Sequence, residues 1–217
     1  MLPIVLIAIG AAGAAVSGAI GTGVSHKIKS GKAQKDADIL SGGSSDYPKV
    51  LICGASKTGK SSLVNTVLEA KVARIGAGET VTRGICEYSS EIQKLCICEC
   101  EGYTVRNLNE YRQRVNTFLK KNRVNKVWYC VNAGTKRLLE TDEDNIKQLI
   151  KLIGEDLIDI VITKTDTASK QELDELTASI IDVFPALRIV TYSNDPALSK
   201  QAEYSVKQLT EKLAPIQ

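Results

Sequence analysis

The sequence predicts an α/β fold in three layers: a mainly parallel, six-stranded sheet with helices on both faces, preceded by an N-terminal hydrophobic helix. Three observations predict it. From residue 48 onward, short apolar runs alternate with stretches of helical spacing, the pattern of strands joined by crossover helices. A glycine-rich turn, "GASKTGKSS", joins the first apolar run to the first helix. A later run ends in "ITKTD", polar residues at a strand end, where sheets of this kind hold ligands.

The N-terminal segment 2–24, "LPIVLIAIGAAGAAVSGAIGTGV", carries no charge and precedes His26, Lys27, Lys29 and Lys32. About 20 helical residues span a hydrocarbon core of ~30 Å, so its length suits one membrane crossing. Gly10, Ala14 and Gly18 fall four apart, a small-residue face on which two such helices can approach closely. No basic region precedes the apolar run, which argues against a cleaved signal. The basic residues all follow it and place the rest of the chain on the cytoplasmic side. Residues 1–25 are therefore read as a membrane anchor, single-pass or peripheral, with an interfacial or partner-binding helix as the alternative. Residues 26–47, polar and rich in Gly and Ser, read as a flexible linker, and 48–217 as the globular domain.

Within that domain "KVLIC" (49–53) is the first strand, and a helix starts at Lys60. "RGICEYSS" and "KLCICE" follow as two closely joined, hence antiparallel, strands; "NLNEYRQRVNTFLKKN" (107–122) has helical spacing. "KVWYCVN" (126–132) and "IDIVITK" (158–164) are strands flanking a helix from about Asp142 to Ile153. "KQELDELTASIIDVF" (170–184) is a helix, "RIVTYS" (188–193) the last strand, and a final helix runs from about Ala197 to Leu213.

Composition narrows the chemistry. In 217 residues, 43% hydrophobic and 24% charged, the net charge is +3, too small for a nucleic-acid surface, so none is expected as partner. The single histidine, His26, lies outside the domain and removes His-dependent triads and His-rich metal sites from it. Six cysteines include Cys96, Cys98 and Cys100 on one face of a strand; they read as small buried hydrophobes, with a metal site as the alternative.

"GASKTGKSS" fits G-x-x-x-x-G-K-[ST] between a strand and a helix. Gly54 and Gly59 let the backbone curl so that N–H groups from Ala55 through Ser62 point at phosphate oxygens, and the helix start adds partial positive charge. Within this loop Ser56, Lys57 and Thr58 complete the cradle, Lys60 reaches the terminal phosphates, and Ser61 offers a hydroxyl to Mg²⁺. In "TKTD", Thr163, Lys164 and Asp166 sit at a strand end on the same side.

Together these residues resemble the P-loop GTPases, of the translation-factor-related class on its Era-, septin- and immunity-related side, over residues 48–213. The resemblance implies the three-layer P-loop G domain, GTP/GDP and Mg²⁺ as cofactors, and slow GTP hydrolysis driving a conformational switch. It implies that Asp166 accepts hydrogen bonds from guanine while the Lys164 stem lies along the base. Adenine lacks the matching donor and leaves the carboxylate unpaired, a discrimination on the order of 10⁴-fold. "TYSN" stands where relatives support the base, making Ser193 and Asn194 candidates beside an ordinary turn. In "GAGETVTRGICEY", Thr82 takes the place of the Mg²⁺-ligating switch threonine, with Thr80 as runner-up. Lys60, Thr82 and Gly102 are the expected catalytic set, and Ser61, Thr82 and Glu99 the metal set.

"ECEG" departs from the family's D-x-x-G. Glu99 keeps the carboxylate with one more methylene and is read as a working variant, because a water-bridged contact tolerates the added reach. Glu101 adds negative charge that opposes the γ-phosphate unless it points away. Tyr103 cannot orient an attacking water as the Gln of Ras-like members does. Lys57 stands where other branches use Asn to hold potassium; its ammonium replaces K⁺ or points to solvent, so potassium stays an optional cofactor. A homodimer across the nucleotide face, with little hydrolysis, is the alternative function, and Arg137 could reach a neighbouring domain. Arg112, Arg114, Lys120, Lys121 and Arg123 read as a solvated helix face or a partner surface, and Trp128 as core.

Overall fold

The computed structural model of the protein describes residues 6–11, 29–31, 47–73, 84–90, 92–193, 195, 199–211 and 213. The strands are β1 (Leu6–Ala11), β2 (Lys29–Gly31), β3 (Lys49–Gly54), β4 (Ile85–Ser90), β5 (Leu95–Cys100), β6 (Lys126–Asn132), β7 (Ile158–Thr163) and β8 (Arg188–Tyr192). The helices are α1 (Lys60–Val67), α2 (Leu108–Lys121), α3 (Glu140–Ile153), α4 (Lys170–Val183) and α5 (Ser199–Thr210). They build one sheet in the order β2-β1-β4-β5-β3-β6-β7-β8. From β5 across to β8 every pairing is parallel, and β4 runs antiparallel to β5. The six strands read from the sequence are all present, each within a residue or two.

The N-terminal helix is corrected where it can be compared. Leu6–Ala11, inside the expected anchor 1–25, forms a strand antiparallel to β4, with Leu6 opposite Ser90 and Ile9 opposite Glu87. Lys29–Gly31, inside the expected linker, pairs in parallel with β1. A short uncharged apolar run has no period that separates strand from helix, and the outer edge of β4 offers a row of backbone donors and acceptors. The rest of 1–46 falls outside the described residues, save Lys29–Gly31. No helix among the described residues is long and apolar enough to cross a membrane.

Strand alternation divides the core in two. Leu51 and Cys53 of β3 join the three cysteines of β5, Tyr129 of β6 and Ile160 of β7 beneath α2, α3 and α4, which contribute Phe118, Ile146 and Leu176. Val50 and Ile52 face the other way, with Trp128, Val161 and Tyr192, under α1 and α5 through Leu63 and Leu209. Trp128 is thus core, and the cysteines are free thiols. Burial pushes Cys100 and Cys130 up to about 12, so both stay protonated and act as small hydrophobes. Glu87, Cys96 and Cys98 bring three ligand-type atoms within 4.8 Å of one another. The Lys49 ammonium, 3.3 Å from the Glu87 carboxylate, already supplies the positive charge there.

At the end of the sheet away from the carboxyl termini of the strands, Asp159 is fully buried and staples three strands. It pairs with Lys126 at 3.2 Å, and with Arg188 through Nη2 at 2.6 Å and Nε at 3.0 Å. Asp159→Ala strands two cations beside a desolvated gap, at a cost of about 3 kcal/mol or more. Urea unfolding of the full chain checks this, and a loss under about 1 kcal/mol contradicts it.

Candidate functional site

The site forms at the carboxyl ends of β3, β5 and β7. At Gly54 (φ 130°) the chain leaves β3 so close to β6 that a Cβ there would lie 2.3 Å from the Cys130 carbonyl oxygen. Only glycine fits both the dihedral and the space. The loop then curls through Lys57 (φ 63°) to Gly59 (φ 83°), which caps α1 with no side-chain hydrogen bond to its first turn. The N–H groups that open α1 are therefore left for an anion.

Other elements hold this loop from outside. The Gly54 N–H donates to the Tyr111 hydroxyl at 3.1 Å, and the Thr163 hydroxyl donates to the Thr58 carbonyl and to Val131. Inside the curl, the Lys60 ammonium is 5% exposed and donates to the Ala55 carbonyl at 2.6 Å. The Thr58 hydroxyl donates to the same carbonyl. Ser62 is half-buried, its carbonyl accepting from Thr66 and Tyr192. Lys57 is exposed.

The end of β5 closes over the loop. Ser61 Oγ donates to Glu99 Oε1 at 2.6 Å, and Glu99 is 1% exposed. The added methylene of Glu thus brings the carboxylate directly to the serine. A hydroxyl and a carboxylate meeting beside the phosphate cradle are hard oxygen donors, a set that fits Mg²⁺. Gly102 lies against the phosphate loop: a Cβ on it would sit 2.5 Å from Ser56 Cα and 2.7 Å from Lys60 Nζ. The Ser56 N–H donates to the Tyr103 carbonyl at 2.8 Å, a strand-like bridge between Ala55 and Tyr103.

Glu101 points away from the phosphates. Its carboxylate lies 3.3 Å from Arg114 of α2 and accepts the Gly84 N–H at 3.0 Å, while its own N–H donates to the Gly84 carbonyl. The charge expected to oppose a γ-phosphate is neutralised by α2. Arg112 is likewise engaged, donating to Asn145 and Asp144. Two members of the basic helix face therefore have structural partners.

On the base side, Lys164 takes a left-handed conformation (φ 56°), and its Cγ would be 4.0 Å from a Cβ on Gly59. Its stem so lies over the phosphate loop. The buried Ser193 hydroxyl donates to Asp166 Oδ1 at 2.5 Å and accepts the Asp195 N–H. This contact orients the carboxylate. Thr82, its runner-up Thr80, and Asn194 lie outside the described residues. Arg137 is exposed in the loop after β6.

Sequence reasoning missed Tyr111 as a holder of Gly54, and missed a buried cluster in which Tyr103 and Tyr129 both donate to Asp142. Burial pushes the hydroxyls of all three tyrosines up from their ordinary range, so they stay protonated donors. No local pattern marks such partners, which come from separate elements.

Residues 49–183 match the sequence profile of the family described as 50S ribosome-binding GTPase. A probable GTP-binding protein EngB of Aquifex aeolicus is 29% identical over 134 residues, covering 59% of this chain and 72% of that protein. Among solved structures, Toc33 from Arabidopsis thaliana in complex with GDP and Mg²⁺ superposes with a TM-score of 0.57 at 17% identity, over 78% of this chain and 85% of that one. A further structure of chloroplast translocon components, for which dimerisation is important for the GTPase activity of atToc33 and psToc159, gives a TM-score of 0.55 at 16% identity, over 74% and 83%.

Two substitutions test the geometry. Asp166→Asn should abolish a preference for guanine over adenine nucleotides on the order of 10⁴-fold, read by competition binding. Glu99→Gln should raise the Mg²⁺ concentration needed for half-maximal nucleotide retention at least several-fold, with metal-free GDP binding little changed. An unaltered Mg²⁺ titration removes Glu99 from the metal set.

Proposed function

The chain belongs to the 50S ribosome-binding GTPase family, and from that premise we propose that it is a slow, magnesium-dependent GTP switch tethered to a membrane. The contact of Gly102 with Lys60 and Ser56 carries the switch in this reading, because it brings that loop to the lysine expected to meet the terminal phosphates. The cradle from Gly54 to Ser62 receives the phosphates, and Lys60 turns its ammonium from Ala55 to their oxygens. Thr163, Lys164, Asp166, Ser193 and Asn194 receive the guanine. Ser61 and Glu99, with Thr82, would hold Mg²⁺, which when bound neutralises charge on the β- and γ-phosphates. Binding of GTP engages Thr82 and the Gly102 backbone, and hydrolysis releases them.

Slow turnover follows from Tyr103. Its hydroxyl is committed to Asp142, which leaves no side chain at this position to direct a water. Lys57 is exposed, which fits an ammonium pointing to solvent, and potassium stays an optional cofactor. Single-turnover hydrolysis, run with and without potassium, should proceed on the order of 10⁻³ s⁻¹ or slower in sodium. Fast turnover in sodium alone contradicts this.

The same observation favours a second reading: a homodimer across the nucleotide face, in which a partner supplies what Tyr103 does not. Dimerisation matters for the activity of atToc33 and psToc159, and Arg137, exposed in the loop after β6, is the cation we propose to test there. Sedimentation with GDP and aluminium fluoride separates the two readings, a monomer at all concentrations removing the dimer.

Attachment to a membrane, with the G domain on the cytoplasmic side, is supported by the uncharged stretch 2–24 and the basic residues after it. Strand β1 and a membrane helix are alternative uses of Leu6–Ala11. Retention in the membrane pellet after carbonate extraction supports the tether; full release supports the strand.

A further inference from the structure

Asp142 stands in the first turn of α3, outside every motif of the nucleotide site, yet a chain of hydrogen bonds ends on it. Its Oδ1 accepts the Tyr103 hydroxyl at 2.5 Å and the Tyr129 hydroxyl at 2.7 Å. Asn145 donates to the Tyr129 oxygen at 3.3 Å, and Arg112 Nε donates to Asn145 at 2.7 Å. Asp142 is 3% exposed and Tyr129 wholly buried. Burial pushes the Asp142 carboxyl above the usual carboxylate range; the two phenolic donors and the Lys60 ammonium pull it back down. The N-terminal dipole of α3 also favours the charge.

Tyr103 is held at both ends of its structure. Its ring packs on Tyr111 at 5.2 Å between centroids, and Tyr111 in turn takes the Gly54 N–H. Its main-chain carbonyl takes the Ser56 N–H, and its N–H faces the Gly54 carbonyl at 3.4 Å. Gly102, one residue earlier, has no side chain through which it could be fixed. Its backbone is placed by its neighbours, Glu101 tied to Arg114 and Gly84 on one side and Tyr103 on the other, with Asn107 donating to its carbonyl at 3.4 Å.

We infer that Asp142 is a positioning residue for recognition of a nucleoside triphosphate: through the Tyr103 hydroxyl it fixes the Gly102 backbone where a third phosphate, but not a second, reaches it. This rests on the proposed phosphate site and deepens it. A diphosphate ends within the cradle of residues 54–62 and makes no use of Gly102. A triphosphate carries one more phosphate to the place where Lys60 Nζ and the Gly102 backbone meet, so its affinity depends on how that backbone is held. Contacts made with one ligand and not the other set the discrimination between them.

The test is equilibrium binding of GDP and of GMPPNP, with Mg²⁺, to the full chain and to three variants. Tyr103→Phe keeps the ring and deletes the donor; Asp142→Leu deletes the acceptor; Asp142→Asn keeps an oxygen that both phenols can reach. Tyr103→Phe and Asp142→Leu should weaken GMPPNP about 5- to 30-fold, with GDP changed less than about twofold. Asp142→Asn should stay within about threefold of wild type for both. Thermal unfolding with each variant establishes that it is folded. Equal losses for both nucleotides, an unchanged ratio, or tighter GMPPNP binding in Tyr103→Phe overturns the inference. A wild-type chain that binds neither nucleotide overturns the phosphate site along with it, whereas wild-type binding with an unchanged ratio in the variants overturns the anchor alone.

Discussion

The site depends on one constraint: the curl of the phosphate loop is held by hydrogen bonds on its backbone, from other elements and from its own side chains. Tyr111 takes the Gly54 N–H, Tyr103 takes the Ser56 N–H, Lys60 and Thr58 share the Ala55 carbonyl, and Thr163 takes the Thr58 carbonyl. A loop with those bonds elsewhere has little freedom left to lose on binding. The residues doing this come from α2, the segment after β5, the end of β7 and the loop with the start of α1, so the sheet order is what makes the loop possible. Gly54 is where the constraint is tightest, since β3 and β6 run too close there for any Cβ.

The segment after β5 shows how a departure from a family's motif is absorbed. Gly102 lies between two residues anchored on opposite sides. Glu101 is tied to Arg114 of α2 and to Gly84, and Tyr103 to Asp142 of α3. Each anchor satisfies a group that would otherwise harm the site. The Glu101 charge is neutralised away from the phosphates, and the Tyr103 hydroxyl is spared burial without an acceptor. The cost is freedom at the position from which a water would be directed.

Much of this was legible in the sequence because it is local. Six strands follow from apolar runs, and the turn "GASKTGKSS" declares its own conformation through Gly54 and Gly59. "TKTD" carries the geometry of its strand end. What was not legible is pairing at a distance. Nothing in "ECEG" says that Glu101 turns toward a residue 13 positions on, or that Tyr103 meets a carboxylate 39 positions away. The segment Leu6–Ala11 failed for another reason: six uncharged apolar residues satisfy strand and helix alike, and only the available β4 edge decides between them.

The replacement of Asp by Glu at the end of β5 follows the same logic of satisfied burial. A carboxylate that is 1% exposed cannot stand without a donor, whether or not a metal is present. The shorter Asp would leave a gap to Ser61 that a water must fill, whereas Glu99 spans it and accepts the hydroxyl at 2.6 Å. The same two oxygen groups are the ones suited to Mg²⁺, so the hydrogen bond and the metal compete for them. A bound Mg²⁺ would take these two oxygens in place of that hydrogen bond.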